Sequence, residues 1–165
     1  MAVTYLSQDL TDKPVVSLTN GEIIGHVKDL FIDPVAYEIA ALITSKGSLL
    51  KRRIQAIPRE QVKVWGQDVI LVSGPDVVVE EKELPDAKKW LTLSGEVKGQ
   101  EVVDNNGVRI GELGDLVVDT SGKIVGYDLA HVHVEGPVAD SKRIPVAATR
   151  SFGDDVLLVE AESLT

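Results

Sequence analysis

Asn20-Gly21-Glu22-Ile23-Ile24-Gly25-His26-Val27-Lys28-Asp29-Leu30-Phe31-Ile32-Asp33 reads as a tight turn, a bent strand and a stop. An altered copy, Asn106-Gly107-Val108-Arg109-Ile110-Gly111-Glu112-Leu113-Gly114-Asp115-Leu116-Val117-Val118-Asp119, lies 86 residues downstream. Setting residues 15–33 against 101–119 gives eight identities in 19 positions, Val16 with Val102 among them. About one would be expected by chance at ordinary composition. The chain is therefore one module written twice. A period this long marks a duplicated domain, since solenoid repeats run to roughly 50 residues at most.

Outward from this stretch, the pattern is that of short strands. Asn20-Gly21 and Asn106-Gly107 are strong hairpin signals, and a type I′ turn with positive φ at both central residues is expected at each. Gly25 and Gly111 fall inside the following strand, where a glycine permits a bulge or sharp bend. Asp33-Pro34 ends that strand. Ile39 to Thr44 has the length of a buried strand, and Val62 to Trp65 with Val69 to Val72 forms a closing hairpin. The second copy repeats the scheme through Ile144-Pro145 and Phe152-Gly153-Asp154-Asp155-Val156. A short helical turn is expected within residues 1–14. Residues 73–98 depart from the pattern, and Leu84 to Leu91 reads as a short helix. The expected architecture is all-β: two tandem small β-barrels over 1–73 and 99–165, joined by a linker with a short helix over 74–98.

With 165 residues, 44% hydrophobic and 26% charged, the chain has ordinary globular composition. Two domains of roughly 80 residues are each near the size where one core is only modestly stabilising, so the halves are expected to pack together. The net charge of −9 disfavours general nucleic-acid binding, which needs clustered Lys and Arg. Without cysteine there is no disulfide, thiolate metal site or thiol nucleophile. No secretory signal pattern and no apolar run of ~20 residues is present. A cytoplasmic protein without a membrane span is expected.

Gly21 to Pro34 and Gly107 to Asp119 resemble the opening of the PRC-barrel family. There a glycine, three residues, a second glycine and a stretch of Asp, three hydrophobics and Asp are characteristic. Gly21, Gly25, Asp29 and Asp33 fill those positions in the first copy, and Gly107, Gly111, Asp115 and Asp119 in the second. Ile57-Pro58 with Gly66 to Val69, and Ile144-Pro145 with Gly153 to Val156, resemble the family's closing hairpin. The family includes the cytoplasmic domain of the photosynthetic reaction-centre H subunit and the C-terminal domain of the ribosome maturation factor. The resemblance implies a small β-barrel that docks to other macromolecules and carries no shared catalytic motif. It therefore implies a non-enzymatic interaction or scaffold module with a protein partner. The contexts it brings are photosynthetic or electron-transfer complexes, or alternatively ribosome and RNA processing. The chain departs from the H subunit in having no membrane helix, and from the maturation factor in carrying a second barrel.

Four side-chain groups remain to be weighed. The paired aspartates sit four apart on a strand, where two carboxylates suit acid–base work or cation binding; capping of turns is the commoner use. His131 and His133 share a strand face and form half of a metal site at most, since a third ligand is needed. With them goes the alternative of a small-ligand or metal sensor in the cleft between the barrels. Lys51, Arg52 and Arg53, with Lys46 and Arg59 nearby, are the one basic cluster, suited to phosphate, an anionic membrane or an acidic partner. Trp90 requires a covering surface; left exposed, it becomes a partner or homodimer contact. No Gly-x-Ser-x-Gly elbow or phosphate loop occurs, and no cofactor is expected.

Overall fold

The computed structural model describes residues 3–164. The first repeat runs through β1 (Thr4–Leu6), β2 (Pro14–Ser17), β3 (Ile23–His26), β4 (Asp29–Asp33), β5 (Glu38–Ser45), β6 (Gln55–Pro58), β7 (Val62–Trp65) and β8 (Ile70–Val72). Two short strands, β9 (Val79–Glu80) and β10 (Leu91–Thr92), follow. The second repeat contains β11 (Glu101–Asp104), β12 (Arg109–Asp119), β13 (Ile124–Val132), β14 (Arg143–Pro145), β15 (Thr149–Phe152) and β16 (Val156–Val159). A five-residue helix, α1 (Pro137–Ser141), lies between β13 and β14.

The expected closed barrels are not what the hydrogen bonds draw. The first repeat forms two open sheets, ordered β3-β2-β8-β7 and β10-β4-β5-β6-β9. The second forms one sheet, β14-β13-β12-β11-β16-β15, with β1 added to β12. The difference lies in the length of one strand. β13 reaches Val132, so Gly111 and Glu112 keep ladder partners in Val132 and His131, and β12 runs unbroken through its bend. β5 ends at Ser45, so the matching segment splits into β3 and β4 around Val27. Among the described residues Val27 keeps only the bonds to Asp12 and Lys13, which match those of Leu113 to Gly99 and Gln100.

The hairpin expectation needs a similar correction. Gly21 and Gly107 have φ of +70° and +78°, but neither Asn20 nor Asn106 is left-handed, which excludes a type I′ turn. In the second hairpin Gly107 donates to the Asp104 carbonyl at 3.0 Å and Asp104 donates to the Val108 carbonyl at 2.9 Å. That is the three-residue turn in which glycine alone takes the left-handed position. Strand pairing also shifts the repeat alignment. Val15 faces Gly25 and Val102 faces Gly111, so the counterpart of Val102 is Val15 rather than Val16.

The linker is no α-helix. Residues 75–77, 81–83 and 85–89 are separate 3-10 turns, and Leu93–Val97 is a single π-turn. Their work is to cover a sheet. Leu84 and Trp90 pack on a cluster of Phe31, Ala40, Ala41, Ile43, Ile54 and Ala56, and Trp90 meets Phe31 with ring centroids 5.7 Å apart. That cover explains why β4 and β5 are apolar on both faces, a pattern otherwise typical of strands buried on both sides. Trp90 is half-buried in this role.

The two repeats exchange strands. β1, at the head of the first, pairs with β12 of the second: Tyr5 opposite Val118, Leu6 opposite Val117. β10, at the head of the second, pairs with β4 of the first: Leu91 opposite Ile32, Thr92 opposite Phe31. At the centre the contact is again reciprocal. Ile39 donates to the Gly122 carbonyl and Ile124 to the Tyr37 carbonyl, both at 2.9 Å, with Glu38 opposite Lys123 between them. The main core accordingly runs without interruption from Leu10 to Val159. The expected packing of the halves is thus a shared sheet edge and a shared core.

Candidate functional site

The motif aspartates are placed by this exchange. Asp29 and Asp115 open the stretch that receives the other repeat's leading strand, and both are buried. Asp115 accepts from the Ser7 hydroxyl, from the Gln8 N–H at 3.1 Å and from the Leu116 N–H at 2.8 Å. Asp29 accepts from the Ser94 hydroxyl, from the Ser94 N–H at 3.1 Å and from the Leu30 N–H at 2.8 Å. Lys46 adds an ion pair to Asp29 at 2.9 Å. Burial alone would raise the Asp29 carboxyl. The Ser94 hydroxyl, the Lys46 ammonium and the two N–H groups outweigh it and hold the carboxyl below the usual range. Ser7 and Ser94 carried no sequence signal, because each sits in the opposite repeat from the acid it serves.

Asp33 and Asp119 work separately from their strand mates. Asp33 accepts from the N–H groups of Val35 and Ala36, and Asp119 from those of Ser121 and Lys123. Each is a turn cap. Neither pair converges on a common point.

Arg59 belongs to the junction of the repeats rather than to a basic cluster. Its guanidinium donates to the carbonyls of Ile39 at 3.0 Å, Gly122 at 3.3 Å and Ser121. It pairs with Glu38 at 3.1 Å and lies over the Trp65 ring at 5.7 Å. The second repeat has no equivalent. Only a planar, forked cation satisfies this set at once. Arg59→Lys is therefore expected to cost about 1–3 kcal/mol, because one ammonium cannot reach the Ile39 carbonyl, the Gly122–Ser121 turn, Glu38 and the Trp65 ring together, although the charge is kept. Urea denaturation checks it: a falling midpoint with unchanged slope is the expected result, and an unchanged midpoint refutes the clamp.

Beside Arg59 the junction is hollowed. A cleft of about 380 Å³ is lined by Tyr5, Asp9, Lys13, Trp65, Gly66 and Thr120, among others. Burial, and then the Asp119 carboxylate, push the Tyr5 phenol up to about 12 against the pull of Arg59. Tyr5 is thus a neutral phenol at physiological pH. Its buried hydroxyl has no hydrogen-bond partner among the described residues.

His131 and His133 are exposed and lie outside this cleft. His131 is the ladder partner of Glu112, and the His133 N–H donates to the Ile110 carbonyl at 2.8 Å. Among the described residues no group of three His, Asp or Glu side chains is placed to hold a metal.

The remaining basic residues frame a loop. Between β5 and β6, Ser48 and Lys51 exchange backbone hydrogen bonds at 3.0 and 3.3 Å, closing a turn with Leu49 and Leu50 at its apex. Both leucines are fully exposed, at 107% and 100%. The loop's two legs are tied down. Lys46 bonds to Asp29 and Ser94, and Arg53 pairs with Glu80 at 3.6 Å. Gly47 is required at its φ of +80°, where a Cβ would lie 2.4 Å from the Arg53 nitrogen. Lys51 and Arg52 have no ion-pair partner among the described residues and flank the leucines. The equivalent connection in the second repeat holds α1, whose Val138 is buried. The fold thus has a way to tuck an apolar loop residue inward, and the first repeat does not use it. Reading the basic run by its charges alone passed over the leucine pair just before it.

No helix among the described residues is long and apolar enough to cross a membrane. No curated protein matches the chain. A family profile described as the PRC-barrel domain matches residues 3–78 and again 93–164, taking in both copies of the glycine–aspartate stretch and most of the chain. The chain belongs to the PRC-barrel family, in two tandem copies.

Proposed function

We propose that this chain is a non-enzymatic docking module, a rigid double repeat that presents one basic and apolar loop to another macromolecule. The observation that carries this reading is Leu49-Leu50, fully exposed at the apex of a tied-down turn with Lys51 and Arg52 beside them. Exposed leucines are common singly, but two adjacent ones held out by a structured loop are what contact surfaces offer. The use of the polar groups supports it as well. Asp29 and Asp115 are committed to N–H groups and serine hydroxyls that hold the repeats together, and Asp33 and Asp119 to turns, which suits a scaffold better than a reacting centre.

The test is affinity capture from native extract, membranes included, using the intact chain, Leu49→Ser/Leu50→Ser and Lys51→Glu/Arg52→Glu. Binding lost in both variants is the expected result. Binding kept in both sinks the reading.

A small-ligand sensor at the repeat junction is the second reading. It is favoured by the unpartnered Tyr5 hydroxyl beside a cleft walled by Trp65 and Tyr5.

A further inference from the structure

We infer that the surface met by the 46–53 loop is an anionic lipid bilayer, with Leu49 and Leu50 entering the headgroup boundary and Lys51 and Arg52 meeting lipid phosphates and carboxylates. The inference rests on the docking reading and specifies its partner.

Three observations favour a bilayer over a protein. The first is size. Two leucine side chains at a turn apex offer a few hundred Å² at most, whereas a stable protein interface takes about 800 Å² from each partner. A peripheral membrane contact needs only a small apolar tip sunk ~5–10 Å with cations at its collar. The second is charge. The chain carries −9 overall, yet residues 39–59 contain Lys46, Lys51, Arg52, Arg53 and Arg59 and no acid. An anionic surface repels the body and attracts this loop, which fixes the approach. Glu80 and Glu81 stand nearest on the adjoining segment and share a hollow with Arg52; Glu80 is paired with Arg53 and with Lys82 at 3.0 Å and feels the Lys51 charge, while Lys51 and Arg52 stay exposed and form no ion pair of their own among the described residues. The third is rigidity. The reciprocal Ser48–Lys51 bonds and the anchors at Asp29 and Glu80 hold the leucines outward beforehand, so little ordering entropy is lost on insertion.

Such a contact is reversible and salt-sensitive, because two leucines and two exposed cations fall short of a permanent anchor. It demands both components: the cations concentrate the protein at the surface and the leucines hold it there.

Co-sedimentation of the intact chain tests this. The vesicles are equimolar phosphatidylcholine and phosphatidylserine, with pure phosphatidylcholine vesicles beside them. Binding to the mixed vesicles alone is expected, with partitioning reduced at least about tenfold by Leu49→Ser/Leu50→Ser and again by Lys51→Glu/Arg52→Glu. All four side chains are exposed, and unchanged thermal unfolding of the variants confirms the fold. The chain has no cysteine, so Leu50→Cys takes an environment-sensitive dye at one site, and its emission should shift to the blue on mixed vesicles only. Failure of the intact chain to sediment overturns the inference. So does binding that survives the leucine substitutions, or a dye that stays in water. If vesicles fail while the leucine variant still abolishes capture of a stoichiometric protein, the docking reading stands and its partner is a protein. If the leucine variant changes neither assay, both readings fall.

Discussion

Gly111→Ala is expected to destabilise the protein by at least about 3 kcal/mol, while Gly25→Ala leaves stability within about 1 kcal/mol. The two glycines hold the same place in the repeated motif, so the sequence gives no reason to separate them. Their surroundings do. A Cβ on Gly111 would lie 2.1 Å from the His131 carbonyl oxygen and 3.2 Å from the Val132 Cα. Both are backbone atoms of β13, bound into the ladder through Gly111–Val132 and Glu112–His131. Relief requires parting two central strands of the sheet, which sacrifices hydrogen bonds and packing together. A Cβ on Gly25 would meet the Thr44 side chain at 3.5 Å, which is ordinary contact. There the loss of unfolded-chain freedom works in favour of alanine. Urea denaturation of both variants decides the matter. Equal effects would mean that the glycines serve one common bend, and the account of the longer β13 would be wrong.

That contrast marks how far the sequence was legible. The duplication, the positions of the glycines and aspartates, and the closing hairpins followed from local pattern, because turns and strands are set by near neighbours. Asp33 and Asp119 as turn caps were readable for the same reason. What local pattern cannot carry is the exchange of strands between repeats. β1 and β10 are too short to show alternation, and their partners lie 111 to 115 residues from β1 and about 60 from β10. Ser7 and Ser94 therefore give no local signal, and Arg59 reads in the sequence as one more member of the basic run. Nothing local distinguishes an arginine that clamps three carbonyls from one on a solvated rim. The leucine pair could have been found: two leucines between Gly47-Ser48 and Lys51-Arg52-Arg53 are apolar residues where a turn is expected to be polar.

Asp29→Ala is expected to cost about 3 kcal/mol at neutral pH without dividing the unfolding transition into two. The carboxylate is the shared acceptor for the Ser94 hydroxyl, the Ser94 N–H and the Leu30 N–H, and it pairs with Lys46. Removing it takes the acceptor from the buried Leu30 N–H and from the part-buried Ser94 N–H and hydroxyl, whereas the half-exposed Lys46 ammonium turns to water at little cost. The bonds to Ser94 cross from one repeat to the other, so their loss weakens the junction. The shared core and the second crossing at Asp115 still bind the halves into one unit. A single transition with a lowered midpoint is therefore expected, and Ser94→Ala added to Asp29→Ala should cost much less than it does alone. The pH dependence follows from the depressed carboxyl. A group held lower in the folded state than in the unfolded chain stabilises fully above the unfolded value of about 4. That stabilisation is lost as pH falls through the folded value. The gap between wild type and Asp29→Ala should thus be full at neutral pH and narrow below pH ~4. A gap that stays constant down to the acid limit would show that the carboxylate charge contributes nothing, leaving packing alone to explain the loss. Two separate transitions in the variant would show that the exchange at Asp29 is what makes the two repeats one folding unit.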